Sequence, residues 1–270
     1  MLPRPTKRLS TKPRPTPPRA RRILDLLERA HPEAKCALTH RNAFELAVAT
    51  ILSAQCTDER VNQVTPLLFE RYPDAHALAA APLADVEQII RSTGFFRAKA
   101  RSVTGFARGL VERHGGQVPR SMEELVPLPG IGRKTANVVL GHAFGVNEGI
   151  AVDTHVLRVT NRLGLVESGD PAVVEAALMK LVPRERRTRT TDLFIFHGRK
   201  ICDARRPACG ICPVFTLCAW EGRQAWASGV PRQREAATRE PRVFATRRPA
   251  AARRVRPPRP KAGRARRPAR

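Results

Sequence analysis

Lys134 occupies a position that is unfavourable for a charged side chain. In the stretch LPGIGRKTANVVL (128–140) it lies in the first turn of a predicted helix. The helix dipole places partial positive charge there, which disfavours an ammonium group, and partial burial would disfavour it further. Both effects increase the fraction of neutral amine, and a neutral amine is a nucleophile. Taken alone, a surface lysine that binds phosphate is the ordinary alternative.

Two glycines precede this lysine and predict a tight turn between two helices. Gly130 and Gly132 both permit positive φ and leave the backbone N–H groups of the turn unobstructed. Such amides, together with the N-terminus of the next helix, can bind a phosphate oxygen. That contact would position a duplex without reading its sequence. The same pattern also fits an ordinary helical hairpin whose glycines only tighten the turn.

Asp153 directly precedes another predicted helix, in the stretch IAVDTHVLRV (150–159). An aspartate in this place is a good N-cap, because its side chain accepts hydrogen bonds from free amides of the first turn. This structural role is the default for the residue. It is compatible with a second role in catalysis.

Four cysteines lie within seventeen residues, in the stretch CDARRPACGICPVFTLC, at Cys202, Cys209, Cys212 and Cys218. In a reducing compartment such a group predicts a metal site rather than disulfides. Spacing alone does not separate a tetrahedral zinc ion from an iron–sulfur cluster, since both take four thiolates. Cys36 and Cys56 fall outside the pattern and are expected to be buried or partly buried thiols.

The elements that must position these groups are helical. Apolar residues recur at spacings of three and four, and Gly, Pro or Asp separates the segments. Ser121 and Glu124 open one segment with a capping-box pattern. No two strand-like runs are joined by a hairpin turn, so the predicted class is all-α with about ten helices. The predicted segments are 23–30, 43–54, 61–72, 83–93, 98–114, 121–128, 133–144, 154–164 and 170–182.

The net charge of +25 is concentrated in two tails rich in Pro, Ala and Arg. Residues 1–22 carry +8 and residues 231–270 carry +13. Both tails have too few apolar side chains to form a core and are expected to be disordered. Nucleic acid is the natural partner of such segments, and a role in solubility is the alternative. No apolar run reaches the roughly 20 residues of a membrane span, and the N-terminus lacks a secretory signal, which favours an intracellular protein.

Four ordered motifs resemble those of the endonuclease III family of DNA glycosylases. LPGIGRKTANVVL resembles the family's helix-hairpin-helix, and AVDTHVLRVTNRLG resembles the segment after it. LSAQCTD and GFFRAKA are similar to its two DNA-facing loops, and the cysteine spacing matches its [4Fe–4S] cluster. The resemblance covers residues 23–225. It implies a two-lobed fold, in which a six-helix barrel is inserted into a cluster domain and DNA lies across the cleft between them.

The resemblance assigns catalytic roles to two residues. Lys134 becomes the nucleophile that attacks C1′ of a damaged nucleotide, expels the base and forms a Schiff base. β-Elimination then breaks the strand on the 3′ side. Asp153 becomes the carboxylate that stabilises the transition state in which the base leaves, and it helps to deprotonate the lysine. The implied function is excision of oxidised pyrimidines by a bacterial-type, cytoplasmic and nucleoid-associated monomer that acts on double-stranded DNA.

The resemblance also assigns DNA contacts. Gln55 fills the void left by an extruded nucleotide, and Phe95 is a wedge near the opposite strand, where many relatives carry an aliphatic residue. His155 is interpreted as a structural residue or a DNA-backbone contact. The remaining predicted contacts are to phosphates, from the hairpin and from the loop between the first two cysteines: Gly130, Gly132, Arg133, Arg205 and Arg206.

The resemblance further predicts a division of the chain into parts, and two other readings of the function stay open. The cluster domain would comprise residues 23–35 and 147–225, and the barrel 36–146 with the helix-hairpin-helix at 121–145. The segments 1–22 and 226–270 would be tails. An adenine-mismatch glycosylase would normally lack the lysine, whereas a pyrimidine-dimer glycosylase shares Lys134, Asp153 and the cysteines. The last alternative is not an enzyme: it is a DNA-binding module that holds a structural cluster but has no catalytic activity.

Overall fold

The computed structural model of the protein describes residues 13–228, and all its regular structure is helical. The predicted all-α class is confirmed. Residues 1–12 and 229–270, which hold most of the two predicted tails, lie outside the described residues. Within the described range no helix is long and apolar enough to cross a membrane.

Twelve α-helices and four short 3-10 turns make up the described range. The helices are α1 (Pro17–Ala30), α2 (Ala43–Leu52), α3 (Asp58–Arg71), α4 (Ala75–Ala79), α5 (Leu83–Ile89), α6 (Phe96–His114), α7 (Met122–Leu125), α8 (Arg133–Phe144), α9 (Thr154–Leu163), α10 (Pro171–Leu181), α11 (Arg187–Lys200) and α12 (Arg223–Ala227).

The helices enclose two separate hydrophobic cores. Helices α2–α8 surround the first core, whose members run from Leu38 to Leu140; we call this part the barrel lobe. Helices α1 and α9–α11 surround the second core, which draws on residues 20–34 and 150–214; we call this part, with α12, the terminal lobe. Each buried Leu, Ile or Phe in these cores contributes about 1.5–3 kcal/mol. Six longer helices form the barrel, and α7 is a single turn.

The first helix begins earlier than expected. Helix α1 starts at Pro17, inside the segment 1–22 that was predicted to be a disordered tail, so that boundary is wrong. Prolines in the first turn are tolerated because the N–H groups there have no helical partner. Ala20 is buried in the core, and the Arg19 guanidinium donates to the carbonyls of Leu163 and Leu217. At the other end α12 extends to Ala227, just past the predicted boundary at 226.

Helix α11 was not among the predicted segments. Its buried positions are Thr190, Thr191, Leu193, Phe194, His197 and Gly198. These positions keep helical spacing, but polar residues and a glycine occupy four of them. An apolar pattern is therefore weak in the sequence, although the helix packs against α1, α8 and α9 and joins the two lobes.

Candidate active site

The predicted hairpin is present between α7 and α8. Ser121 caps α7 by accepting a hydrogen bond from the Glu124 N–H at 3.3 Å, and the Ser121 hydroxyl donates to the Glu124 carboxylate at 2.7 Å. Gly130 has a φ of +78°, and a Cβ there would press on Ile51 and Ser102. Gly132 has an extended backbone with a φ of −95°, so of these two glycines Gly130 is the one that adopts the positive φ that both permit. A Cβ at Gly132 would meet no other atom, which leaves the N-terminus of α8 open to solvent.

Lys134 lies in the first turn of α8, as predicted, and its side chain is exposed. The expectation of partial burial is therefore wrong for the protein without DNA, because the cleft beside the helix is open. Its neighbour Arg133 donates from Nε to the buried Glu175 carboxylate at 2.7 Å. Glu175 raises the pKa of the Arg133 guanidinium through this hydrogen bond.

Asp153 is the N-cap of α9, as predicted. Its Oδ1 accepts hydrogen bonds from the N–H groups of His155 and Val156, both at 2.8 Å. Its Oδ2 makes no hydrogen bond to the described residues. The His155 ring accepts from Arg158 at 3.0 Å and packs against Gly198, and burial lowers the pKa of His155. These contacts support the structural interpretation of His155.

Lys134 and Asp153 line the same cleft, which has a volume of about 810 Å³. Lys134 comes from the barrel lobe and Asp153 from the terminal lobe, so each lobe contributes one of the two candidates. The other lining residues include Lys35, Cys36, His40, Thr50, Ser53, Asp58, Glu59, Val138, His142, Thr191, Asp192, Ile195, Phe196, Arg199 and Lys200.

One wall of this cleft was missed by the sequence analysis, because it is formed by α11. Two polar contacts join that wall to the barrel lobe. Arg199 forms an ion pair with Asp58 at 2.7 Å, and the His142 Nε2 lies 3.3 Å from the Asp192 carboxylate. The charged residues on α11 gave no signal of this role in the sequence, since their partners lie more than 40 positions away.

The two loop residues predicted to enter DNA share an unusual backbone conformation, with a positive φ angle. Gln55 and Phe95, with φ values of 53° and 47°, are the two non-glycine residues in the described range with positive φ. Such a conformation costs of order 1–3 kcal/mol and persists at functional sites. Both side chains are exposed, and Phe95 leaves 68% of its surface in water. An ordinary core phenylalanine is thus excluded.

A buried lysine supports the loop that carries Phe95. Lys99 is 5% exposed, and its Nζ donates to the Thr93 carbonyl at 2.7 Å. Thr93 ends the 3-10 turn directly before Gly94 and Phe95. Burial lowers the pKa of Lys99, and the nearby Cys56 opposes this shift. Lys99 therefore lies between the loops of Gln55 and Phe95, a role that its sequence position did not reveal. Cys56 is partly buried, as predicted.

The four cysteines of the predicted metal site line one pocket in the terminal lobe, together with His197 and Arg162. Burial, together with the charges of the other three sulfurs, raises the pKa of Cys212 to about 11. Four thiolates this close need a cationic centre. Four cysteine sulfurs around one pocket are the donor set that a tetrahedral zinc ion or an iron–sulfur cluster takes.

The loop between the first two cysteines is organised by its own aspartate. Asp203 Oδ1 accepts from the N–H groups of Arg205 and Arg206, both at 2.8 Å, and these bonds lower the pKa of Asp203. Arg162 donates to the Asp203 carbonyl at 2.7 Å and approaches the Cys202 sulfur at 3.5 Å. The side chains of Arg205 and Arg206 are exposed as a result.

Family models match both parts of this arrangement. Residues 48–184, which include the hairpin and Asp153, match the HhH-GPD superfamily base excision DNA repair protein. Residues 202–218 match the iron–sulfur binding domain of endonuclease III. The chain belongs to the endonuclease III family. It is therefore a DNA glycosylase and abasic-site lyase of base excision repair, its partner is DNA, and its cofactor is a [4Fe–4S] cluster.

Relatives support this membership along most of the chain. Endonuclease III of Synechocystis sp. (strain ATCC 27184 / PCC 6803 / Kazusa) is 53% identical over 74% of this chain and 91% of its own. Endonuclease III of Bacillus subtilis (strain 168) is 47% identical over 77% of this chain and 94% of its own. A solved structure of a trapped endonuclease III–DNA covalent intermediate, an estranged-adenine complex, is 48% identical with a TM-score of 0.72 and covers 75% of this chain and 95% of that one.

Proposed function

We propose that the protein removes oxidised pyrimidines from double-stranded DNA and cleaves the resulting abasic site on its 3′ side, with Lys134 as nucleophile. The observation that carries the proposal is the cleft that Lys134 and Asp153 share. Lys35 and Lys200 also line the cleft, but Lys134 alone among these three follows the glycine turn in the first turn of a helix. A similar protein has been trapped in a covalent complex with DNA, and such a complex needs a nucleophile on the protein.

The reaction starts with a neutral Lys134 amine. Nζ attacks C1′ of the damaged nucleotide, the bond from C1′ to the base breaks, and the base leaves with the bonding electrons and gains a proton. The sugar ring opens as the nitrogen loses a proton, which gives an imine. The imine acidifies C2′, so a C2′ proton leaves and the 3′ phosphate departs. Water then hydrolyses the imine and frees the lysine.

Asp153 assists the first step. Its carboxylate stabilises the positive charge that develops on the sugar and accepts a proton from the lysine ammonium. Oδ1 is held by two helix amides, which fixes the side chain, and Oδ2 makes no hydrogen bond to the described residues. Lys134 is exposed without DNA, so the bound duplex must exclude water from the cleft before the chemistry.

Base removal requires the nucleotide to leave the stack. Gln55 fills the void and Phe95 acts as the wedge beside the opposite strand. Their strained backbones and exposed side chains support these roles. The two residues stand on separate loops: Lys99 donates to the Thr93 carbonyl beside the Phe95 loop and lies near Cys56, which follows Gln55.

Phosphates of the duplex would bind at two places. The first is the hairpin, where Gly130, Gly132 and Arg133 present amides and a guanidinium. The second is the cysteine loop, where Asp203 turns Arg205 and Arg206 towards solvent. These contacts position the DNA but read no sequence.

The cluster would be held by Cys202, Cys209, Cys212 and Cys218, and it would fix their loop rather than take part in base removal. The two hydrophobic cores support a cluster domain of residues 23–35 and 147–225 and a barrel of residues 36–146. We further propose a monomer that works in the bacterial cytoplasm at the nucleoid.

A panel of duplexes tests the substrate class. Matched oligonucleotides would contain thymine glycol, a pyrimidine dimer, an A·G mismatch or no lesion. Strand cleavage on the thymine glycol duplex, at a rate well above that on the others, supports the proposal. A faster reaction on the pyrimidine dimer or on the A·G mismatch would assign the protein to that substrate instead.

A further inference from the structure

Glu175 is a buried carboxylate that reaches from one lobe to the other. It lies on α10 of the terminal lobe, between Val174 and Leu178 of that lobe's core, and it is 5% exposed. Its Oε2 accepts from Arg133 Nε at 2.7 Å, and its Oε1 accepts from Asn137 Nδ2 at 2.8 Å. Both donors belong to α8 of the barrel lobe.

The two donors flank Lys134 in the first turns of α8. Arg133 is one residue before it and Asn137 three residues after it, which is one helical turn. A Cβ at Gly149 would overlap both Glu175 and Asn137, so the surrounding chain leaves little space for the carboxylate to shift. The orientation of the lysine's helical turn is therefore tied to a side chain of the opposite lobe.

A buried ion pair adds little to the stability of a fold, since a protein in which apolar residues replace the pair is often just as stable. Here the pair has a further effect on the site. The Arg133 side chain stays 52% exposed while its Nε is held, so the rest of the guanidinium faces solvent. Charge-assisted hydrogen bonds to a fixed carboxylate restrict the guanidinium more than neutral ones do.

We propose that Glu175 is a positioning residue for the lyase reaction, which orients Arg133 towards a DNA phosphate and fixes the turn of α8 that carries Lys134. The inference rests on the proposed function of Lys134. If Glu175 has this role, the terminal lobe supplies Asp153 and also positions Lys134. A shift between the lobes would then reduce the rate of the chemistry before it reduced DNA affinity.

Glu175→Gln is the variant that isolates the charge. The buried Asn137 Oδ1 has no hydrogen-bond partner among residues 13–228, so the Asn137 amide can turn over and accept from the new side chain. The glutamine oxygen still accepts from Arg133. The fold is preserved while the charge assistance is lost. Single-turnover trapping with borohydride on a saturating abasic duplex should slow on the order of tenfold, with unchanged affinity for undamaged duplex.

Glu45→Gln is the matched control, because Glu45 is also buried and accepts from an arginine, Arg41, at 2.7 Å, but its carboxylate makes no hydrogen bond to α8. It should trap at the wild-type rate. A wild-type rate in Glu175→Gln, with no trapping in Lys134→Gln, would overturn the positioning role and leave the proposed function intact. Trapping by Lys134→Gln would overturn both.

A second variant covers the case in which Glu175→Gln does not fold. Arg133→Lys keeps the positive charge that attracts DNA but lacks the Nε that Glu175 holds. Its trapping should slow at saturating DNA while its affinity for undamaged duplex is kept. Wild-type trapping by Arg133→Lys would overturn the proposal, because the oriented guanidinium would then be unnecessary.

Discussion

At the scale of a single residue, the proposed reaction gives Asp153 a second task beside its N-cap role. One oxygen caps α9, and the other is available to the cleft. Its place before a helix and its N-cap role were predictable from the sequence, as was the position of Lys134 in the first turn of α8. The exposure of Lys134 and the extended backbone of Gly132 were not predictable, because they depend on how open the cleft is and on the exact turn geometry.

Asp153→Asn separates these tasks. Asparagine is an equally good N-cap, so the thermal unfolding temperature should stay close to that of wild type. Base removal should slow by at least about 10²-fold, because the amide supplies no negative charge for the transition state. The matched control is Asp170→Asn, at the N-cap of α10, which should change neither property. Near-wild-type base removal by Asp153→Asn would reduce the residue to a helix cap.

At the scale of elements, most helices follow from their apolar spacing, but α11 does not. Its buried threonines, histidine and glycine make sense only against α1, α8 and α9, which the sequence does not show to be neighbours. The loops of Gln55 and Phe95 were located by motif. Their strained backbones and the buried ammonium of Lys99 between them required the structure.

Lys99→Met tests whether the buried Lys99 ammonium supports the loop that carries Phe95. Burial lowers the pKa of Lys99 below its ordinary value of 10.5, so the unfolded chain binds more protons than the folded one in the window just below pH 10.5. The free energy of unfolding of the wild type, relative to Lys99→Met, should therefore rise as the pH increases through that window. Lys180→Met, at an exposed lysine, is the matched control for the substitution itself. A pH-independent difference for Lys99→Met would contradict a destabilised buried ammonium.

The same variant should affect function at fixed pH. Without the hydrogen bond to Thr93, the loop of Phe95 is less well fixed, so insertion into the duplex should slow. A fluorescent base analogue opposite the lesion reports that step. Insertion at the wild-type rate would show that the loop keeps its conformation without Lys99.

At the scale of the whole molecule, the candidate active site lies where the two lobes meet. The sequence motifs named residues of both lobes, but the contacts that align them, such as Glu175 with Arg133, join positions 42 residues apart. Much of the positive charge of the chain lies outside the described residues. Residues 1–12 carry four Lys or Arg and no acid, and residues 229–270 carry +13.

Removal of both segments, to leave residues 13–228, should keep single-turnover chemistry nearly intact, because the truncated chain retains α1 and both cores. Each phosphate contact that is lost reduces the slope of log K against log salt by about 0.9 on duplex DNA. The truncated protein should therefore show a shallower slope for undamaged duplex than the full chain. Identical slopes would mean that the tails do not contact DNA, which leaves solubility or a protein partner as their role.

The central claim is that Lys134 forms a covalent imine with DNA. The most direct measurement is borohydride reduction of the protein with an abasic or thymine glycol duplex, followed by mass spectrometry of the peptide that carries the adduct. The account predicts one adduct, on Lys134 and on neither Lys35 nor Lys200, and none in Lys134→Gln, whose fold and cluster should be preserved. An adduct of equal yield in Lys134→Gln, or one mapped to another lysine of the cleft, would contradict it.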